Sequence, residues 1–152
     1  KEMGVNMTIN KDNIIISQTN DLKGVSVRTL GYPGFATDLQ QPLTVLLAKC
    51  NGTSTLEETI YENRFQNVEY LNKLGANIEF INNRNIKIFG PCNYVGTLVK
   101  ATDLRAGACL VLAGLAATGE TIIEEAQHIL RGYEDIQNKL NNVGANLKVE
   151  EI

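Results

Sequence analysis

A short string recurs along this chain at nearly constant spacing, and that recurrence limits the available folds more than any other feature. Gly4-Val5-Asn6, Gly75-Ala76-Asn77 and Gly144-Ala145-Asn146 are 71 and then 69 residues apart. The match widens around the last two: Leu71-Asn72-Lys73-Leu74 precedes one and Leu140-Asn141-Asn142-Val143 the other. Thr37-Asp38-Leu39-Gln40 pairs with Thr102-Asp103-Leu104-Arg105 at 65 residues, and Arg64 with Arg131 at 67. Landmarks kept in one order imply two structural units preceded by the end of a third. The expected organisation is one domain over 1–152, with 1–20 as the tail of a truncated repeat, 21–90 as a second repeat and 91–152 as a third. Lys1 already stands inside the pattern, so the expectation is of a chain shortened at its N-terminus.

Each unit reads strand, helix, strand, helix, strand, strand, a βαβαββ order that puts the chain in the α/β (α+β) class. The first helix of a unit opens at a Thr-Asp pair, both residues suited to capping the free amides of a first turn. In the last unit it is expected over about 103–117, where almost nothing polar follows Arg105. A helix apolar all round predicts burial all round. Its counterpart, about 40–49, tolerates Pro42 because that residue falls near the first turn. Short strands are expected at Ser54–Thr59 and Glu120–Glu124. The second helix is amphipathic, through Phe65, Val68, Leu71 and Leu74 in one unit and Tyr133, Ile136, Leu140 and Val143 in the other. Gly75 and Gly144 stand where a helix can end in the left-handed conformation. Alternating Ile78, Phe80, Ile86 and Ile88 around an Asn-rich turn predict a hairpin with one buried face, and Met7–Ile9 with Ile14–Ile16 predicts another. The expected assembly has helices packed centrally and sheets facing solvent.

Composition removes several function classes. With 43% hydrophobic and 20% charged residues among 152, the chain is globular rather than disordered. A net charge of −3 argues against a general binder of the nucleic-acid backbone. The longest apolar run, Ala106–Ala117, is too short to span a bilayer, and the opening residues lack the pattern of a secretory leader. Cys50, Cys92 and Cys109 are widely spaced with no C-x-x-C, as expected of reduced thiols.

The chemistry-bearing residues recur at equivalent places. Asp38 and Asp103 open the apolar helices, Arg105 follows the second, and Arg64 and Arg131 precede the amphipathic ones. One reading makes the aspartates caps and the arginines surface or cap-pairing residues. The other brings helix N-termini and guanidinium groups to one cleft suited to phosphate or carboxylate, with an aspartate as base toward a hydroxyl. His128, the sole histidine, has no cysteine or histidine cluster near it, which favours a strand-end residue over a metal ligand. Cys50 and Cys109 fall on the apolar helices and Cys92 in a turn after Pro91, positions of packing rather than catalysis. Gly31-Tyr32-Pro33-Gly34-Phe35 is a turn cluster without the lysine of a phosphate-binding loop, placed to form a cleft edge before Asp38.

In order, Gly31-Tyr32-Pro33-Gly34-Phe35-Ala36-Thr37-Asp38-Leu39-Gln40, Glu62-Asn63-Arg64-Phe65, Ala101-Thr102-Asp103-Leu104-Arg105-Ala106 and Arg131-Gly132-Tyr133-Glu134 resemble the enolpyruvyl transferases. Within that family the Thr-Asp-Leu-Arg-Ala and Arg-Gly-Tyr-Glu strings resemble UDP-N-acetylglucosamine 1-carboxyvinyltransferases more than 5-enolpyruvylshikimate-3-phosphate synthases. The resemblance covers essentially the whole chain and implies the C-terminal stretch of such an enzyme, most of one domain of an inside-out α/β barrel fold. It implies transfer of enolpyruvate from phosphoenolpyruvate to the 3′-hydroxyl of UDP-N-acetylglucosamine in the cytoplasm. That step belongs to peptidoglycan synthesis, and so to cell-wall growth and division. No cofactor is implied, and no nucleic-acid or membrane partner.

By the same resemblance Asp38 contacts the sugar and takes the hydroxyl proton. The backbone at Ile60 contacts the nucleotide, and Arg131 binds phosphoenolpyruvate. Asp103 and Arg105 lie near that substrate, and Arg64 matches a cleft arginine for which a structural role is the alternative. Ala36 stands where the family usually has proline, and Leu130 where many members have an aspartate beside the arginine. The family's catalytic cysteine loop and an N-terminal Lys-Asn pair match nothing in this chain, so no turnover is expected from it alone. The remaining part of the same enzyme is then an implied partner, and apolar surface left uncovered implies self-association. A non-catalytic binding or scaffold domain of the same fold is the alternative from another class.

Overall fold

The computed structural model describes residues 1–150. Eight strands and five helices follow in chain order among them: β1 (Met7–Ile9), β2 (Ile14–Ile16), β3 (Ser26–Arg28), α1 (Gln40–Leu47), β4 (Gly52–Glu57), α2 (Asn67–Lys73), β5 (Ile78–Asn82), β6 (Asn85–Gly90), β7 (Leu98–Lys100), α3 (Leu104–Leu115), β8 (Ile122–Glu124), α4 (Gln127–Leu130) and α5 (Ile136–Asn141). A 3-10 turn, Thr37–Leu39, leads into α1. The mixed architecture is the one expected.

Twice the chain makes a parallel strand pair joined by a crossover helix. β3 pairs with β4 through α1, with Val27 opposite Leu56, and β7 pairs with β8 through α3, with Val99 opposite Ile123. The first pair extends into a four-stranded sheet, β3-β4-β6-β5, whose last two strands form the antiparallel hairpin turned at Asn83-Arg84. β1 and β2 form a separate hairpin with Ile9, Ile14, Ile15 and Ile16 largely exposed. α1 and α3 pack together against the sheet, and α2 lies against α3. Their shared core holds Leu47, Leu56, Leu71, Leu74, Ile86, Ile88 and Leu110, all fully buried. A second, smaller cluster of Ala101, Val111 and Ile129 sits between α3 and α4.

The helix endings follow from glycine. Gly75 has φ of +102°, its N–H donates to the Asn72 carbonyl, and the Ala76 N–H reaches back to Leu71 at 3.0 Å. This pair of bonds satisfies carbonyls that the end of α2 leaves free. Gly144 repeats the arrangement at φ of +100°, with Ala145 donating to Leu140.

Several expectations need correction. Neither Thr37 nor Asp38 caps α1: the residue before that helix is Leu39, without a capping side chain, because both polar side chains are engaged elsewhere. α3 is not buried all round, since α1, α2 and α4 leave one flank bare and Leu112 and Leu115 are about two-fifths exposed. Phe80 shares the inward face with Ile78 and its cross-strand partner Ile86, its ring edge-on to Phe65 at 6.3 Å, but on the edge strand β5 it stays 58% exposed. The last amphipathic stretch is helical only over α5, which leaves Tyr133 and Val143 outside it and Val143 81% exposed, and a separate short helix, α4, precedes it. Cys50 lies just beyond α1 rather than within it, and His128 sits on α4, not at a strand end. No helix among the described residues is long and apolar enough to cross a membrane.

Candidate functional site

Three of the expected residues meet at the entrance to α1. Arg105 Nε donates to Asp38 Oδ1 at 2.5 Å, and Arg64 Nη2 reaches the same oxygen at 3.2 Å. The Asp38 side chain remains well exposed, whereas Arg64 is mostly buried. The hydrogen bond from Arg105 holds the Asp38 carboxyl below the usual carboxylate range; partial burial opposes this, and the charges of Arg105 and Arg64 reinforce it. Asp38 is therefore an anion across the neutral range. Both cations bind Oδ1, and among the described residues Oδ2 has no protein donor.

Each partner is positioned by its own element. Asp103 caps α3, accepting from the N–H groups of Arg105 at 2.8 Å and Ala106 at 3.0 Å. The cap fixes the first turn and directs Arg105 toward Asp38, across from α1. Asn63, at φ of +54°, makes the left-handed turn that precedes Arg64, a conformation asparagine tolerates better than most residues. The guanidinium of Arg64 lies 4.6 Å from the Tyr61 ring centroid, and its carbonyl accepts from Gln41 Nε2. Arg64 is thus held by the aromatic face and by a single bond from Nη2 to the carboxylate, while its Nε is buried without a hydrogen-bond partner among the described residues.

Ile60 lies in the loop after β4, its side chain 45% exposed. Its N–H donates at 2.8 Å to Glu58, a residue absent from the sequence-based candidates. Glu58 is only 1% exposed. Burial pushes its carboxyl up, but bonds from the Ile60 and Tyr61 amides and the Thr37 and Thr29 hydroxyls outweigh that and hold it below its ordinary value. Strand parity carries the signal for it: Ser54, Leu56 and Glu58 alternate on the inward face of the β4 segment, so a glutamate continues a buried row.

Arg131 is not brought into this cluster. It ends α4, exposed and without an ion pair among the described residues. The turn it belongs to is nevertheless close, because a Cβ on Gly132 would stand 2.6 Å from the Leu104 side chain at the start of α3. Leu130, also exposed, supplies no charge partner for it.

The cysteines are ill suited to catalysis here. Burial raises all three thiols, that of Cys109 to about 12. The His128 Nδ1 is buried without a hydrogen-bond partner. Among the described residues no three His, Cys, Asp or Glu side chains are grouped to hold a metal ion.

An arginine-flanked carboxylate between two helix entrances invites comparison with known proteins. The sequence profile described as EPSP synthase (3-phosphoshikimate 1-carboxyvinyltransferase) matches residues 1–140. UDP-N-acetylglucosamine 1-carboxyvinyltransferase of Streptococcus pneumoniae (strain Hungary19A-6) is 50% identical over 151 residues, 99% of this chain and 36% of the relative. A second relative, UDP-N-acetylglucosamine 1-carboxyvinyltransferase 2 of Geobacillus kaustophilus (strain HTA426), is 48% identical over 97% of the chain and 34% of its own length. The chain thus spans about a third of the curated relatives it matches. Among solved structures, the enolpyruvyl transferase NikO from Streptomyces tendae superposes with a TM-score of 0.86 at 32% identity, over 97% of this chain and 34% of that one. EPSP synthase from Acinetobacter baumannii shares the fold, with a TM-score of 0.66 at 18% identity over 98% and 35%.

Proposed function

Because the chain belongs to the EPSP synthase (3-phosphoshikimate 1-carboxyvinyltransferase) family, we propose that it forms one part of an enolpyruvyl transferase acting on a sugar nucleotide. The transfer proposed runs from phosphoenolpyruvate to the 3′-hydroxyl of UDP-N-acetylglucosamine. This is a cytoplasmic step of peptidoglycan synthesis, on which cell shape and division depend. The observation that carries the reading is the single Asp38 oxygen shared by Arg105 and Arg64, with no protein donor on the other oxygen among the described residues and the side chain well exposed.

In this reading Asp38 Oδ2 accepts the hydrogen bond of the sugar hydroxyl and removes its proton as the new C–O bond forms at C2 of phosphoenolpyruvate. An acid protonates the methylene carbon to a methyl group, giving a tetrahedral adduct at C2. Breaking the C2–phosphate bond with loss of a methyl proton then forms the C=C bond of the enol ether and releases inorganic phosphate. A carboxylate held below its usual pKa is a weak base, so proton removal has to accompany bond formation rather than precede it. Arg105 supplies preorganised positive charge beside Asp38 for phosphate or carboxylate. Arg131, which stands outside that cluster at the end of α4, supplies its charge from the far side of the bound phosphoenolpyruvate. Asp103 fixes the direction of Arg105, and Arg64 steadies Asp38. The backbone at Ile60 receives the nucleotide. All three cysteines are buried and so out of reach of a substrate in the cleft; the acid is proposed to come from another segment, and the 152 residues alone to bind without turnover.

The boundaries 1–20, 21–90 and 91–152 are proposed as the tail of one repeat and two further repeats of a single domain. Leu39 just before α1, Leu46 on α1, and Leu112 and Leu115 of α3 are 39–56% exposed. We infer that this surface pairs with the rest of the same enzyme, or with a second copy when the chain is alone.

Amide chemical-shift mapping tests the reading. UDP-N-acetylglucosamine should shift signals around Asp38 and Ile60 while shikimate 3-phosphate leaves them in place, with no phosphate released from phosphoenolpyruvate. A response to shikimate 3-phosphate alone would move the chain to the other branch of the family. Silence toward both ligands would favour a scaffold domain.

A further inference from the structure

We propose that Glu58 is a positioning residue, one buried carboxylate that clamps the loop bearing Asp38 to the loop bearing Ile60. Its main chain is anchored first: Glu58 N–H donates to the Arg84 carbonyl at 2.8 Å, and the Glu58 carbonyl accepts from Arg84 Nη1 at 3.3 Å. Glu58 therefore moves with the turn between β5 and β6. From that fixed point the carboxylate reaches both loops. Oε2 accepts from Thr37 Oγ1 at 2.8 Å, one residue before Asp38. Oε1 accepts from Ile60 N–H at 2.8 Å, Tyr61 N–H at 3.1 Å and Thr29 Oγ1 at 2.9 Å. Tyr61 in turn lies beneath Arg64, so supports of both sides of the Asp38–Arg64 pair end on the same carboxyl group.

A buried carboxylate with no cation on it, among the described residues, is an expensive way to fill space. Four donors directed at it repay that cost only by fixing where the donors sit. Thr29 extends the arrangement, since its hydroxyl accepts from Thr59 N–H and its carbonyl accepts from Thr59 Oγ1 at 2.6 Å. β3 and the segment after β4 are thereby stitched together beyond their ladder. Without the clamp, the 3-10 turn and the loop after β4 are free to shift separately, and Asp38 loses its fixed relation to both arginines. The consequence for ligand affinity rests on the function proposed above; the clamp itself rests on these distances.

Three variants test it: Glu58→Ala, Glu58→Gln and Thr37→Val. Glutamine can still accept at Oε1 and donate its amide to Thr37, so it preserves the tether without the charge. Hydrogen exchange at Ile60 and Tyr61, and carbon-detected titration of the Asp38 carboxyl, are the readouts. Glu58→Ala should speed exchange at both amides by at least about tenfold and raise the Asp38 pKa toward the ordinary carboxylate value. Glu58→Gln should restore both. Thr37→Val should raise the Asp38 pKa while leaving exchange at Ile60 and Tyr61 unchanged, and it decides the matter even if Glu58→Ala fails to fold. An Asp38 titration in Thr37→Val identical to wild type would overturn the proposal. Affinity for UDP-N-acetylglucosamine should fall about tenfold in Thr37→Val, as for loss of one charge-assisted hydrogen bond. A wild-type chain that ignores that ligand would defeat the function reading alone, leaving the clamp to be judged on the carboxyl titration.

Discussion

Two carboxylates set the character of the site, and they do so from opposite environments. Asp38 is exposed and held ionised by arginines, whereas Glu58 is buried and held ionised by neutral donors. Their consequences for stability differ. Exposed ion pairs contribute little, about 0–1 kcal/mol, so the Asp38 pairs add little to folding stability. Glu58 has a folded pKa below its unfolded one. Its ionisation stabilises the fold above the ordinary glutamate value, and that contribution disappears as pH falls through the depressed folded value. Glu58→Gln should cost about 1 kcal/mol at neutral pH, since bonds to a charged acceptor become neutral ones. The difference between variant and wild type should shrink as the pH falls below the ordinary glutamate value, as chemical denaturation followed from about pH 7 to pH 3 would record. A constant difference across that range would contradict the assignment. Asp38, Asp103, Arg64 and Arg105 were visible as repeated letters beside helix starts. Glu58 was hidden because a glutamate at a strand end usually faces water, and only its parity with Ser54 and Leu56 points inward.

At the scale of elements, glycine placement separates strain from crowding. Gly75 and Gly144 share a left-handed φ, but a Cβ on Gly75 would meet the Asn93 carbonyl at 2.9 Å, while nothing lies within 4 Å at Gly144. Gly144→Ala should cost only the conformational strain, about 1 kcal/mol. Gly75→Ala adds a backbone clash and should cost about 2–3 kcal/mol in denaturant unfolding; equal losses would show that the clash relaxes freely. These endings were legible because a left-handed cap selects glycine by steric necessity. The start of α1 was not. Thr37-Asp38 and Thr102-Asp103 look alike, yet only Asp103 caps a helix. The difference lies in distant partners, Glu58 for Thr37 and Arg105 for Asp38, which local spacing does not encode. Likewise the apolar sequence of α3 could not tell which flank its neighbours leave bare.

For the whole molecule, the repeat made the α/β class legible, because each parallel pair needs its crossover helix and the two units reuse one pattern. Apolar exposure on α3 and the β1–β2 hairpin predicts association of the isolated chain. Sedimentation velocity should reveal dimer or larger species growing with concentration, and Leu112→Lys with Leu115→Lys should suppress them; a monomer throughout would contradict this. The convergence of Asp38, Arg64 and Arg105 is likewise a property of the assembled fold, since the three arrive from separate elements. Calorimetric titration of UDP-N-acetylglucosamine into wild type and Asp38→Asn tests that convergence most directly. The account predicts that the amide variant stays folded and binds at least about tenfold more weakly, the loss of one charge-assisted contact; equal affinity in the two proteins would contradict it.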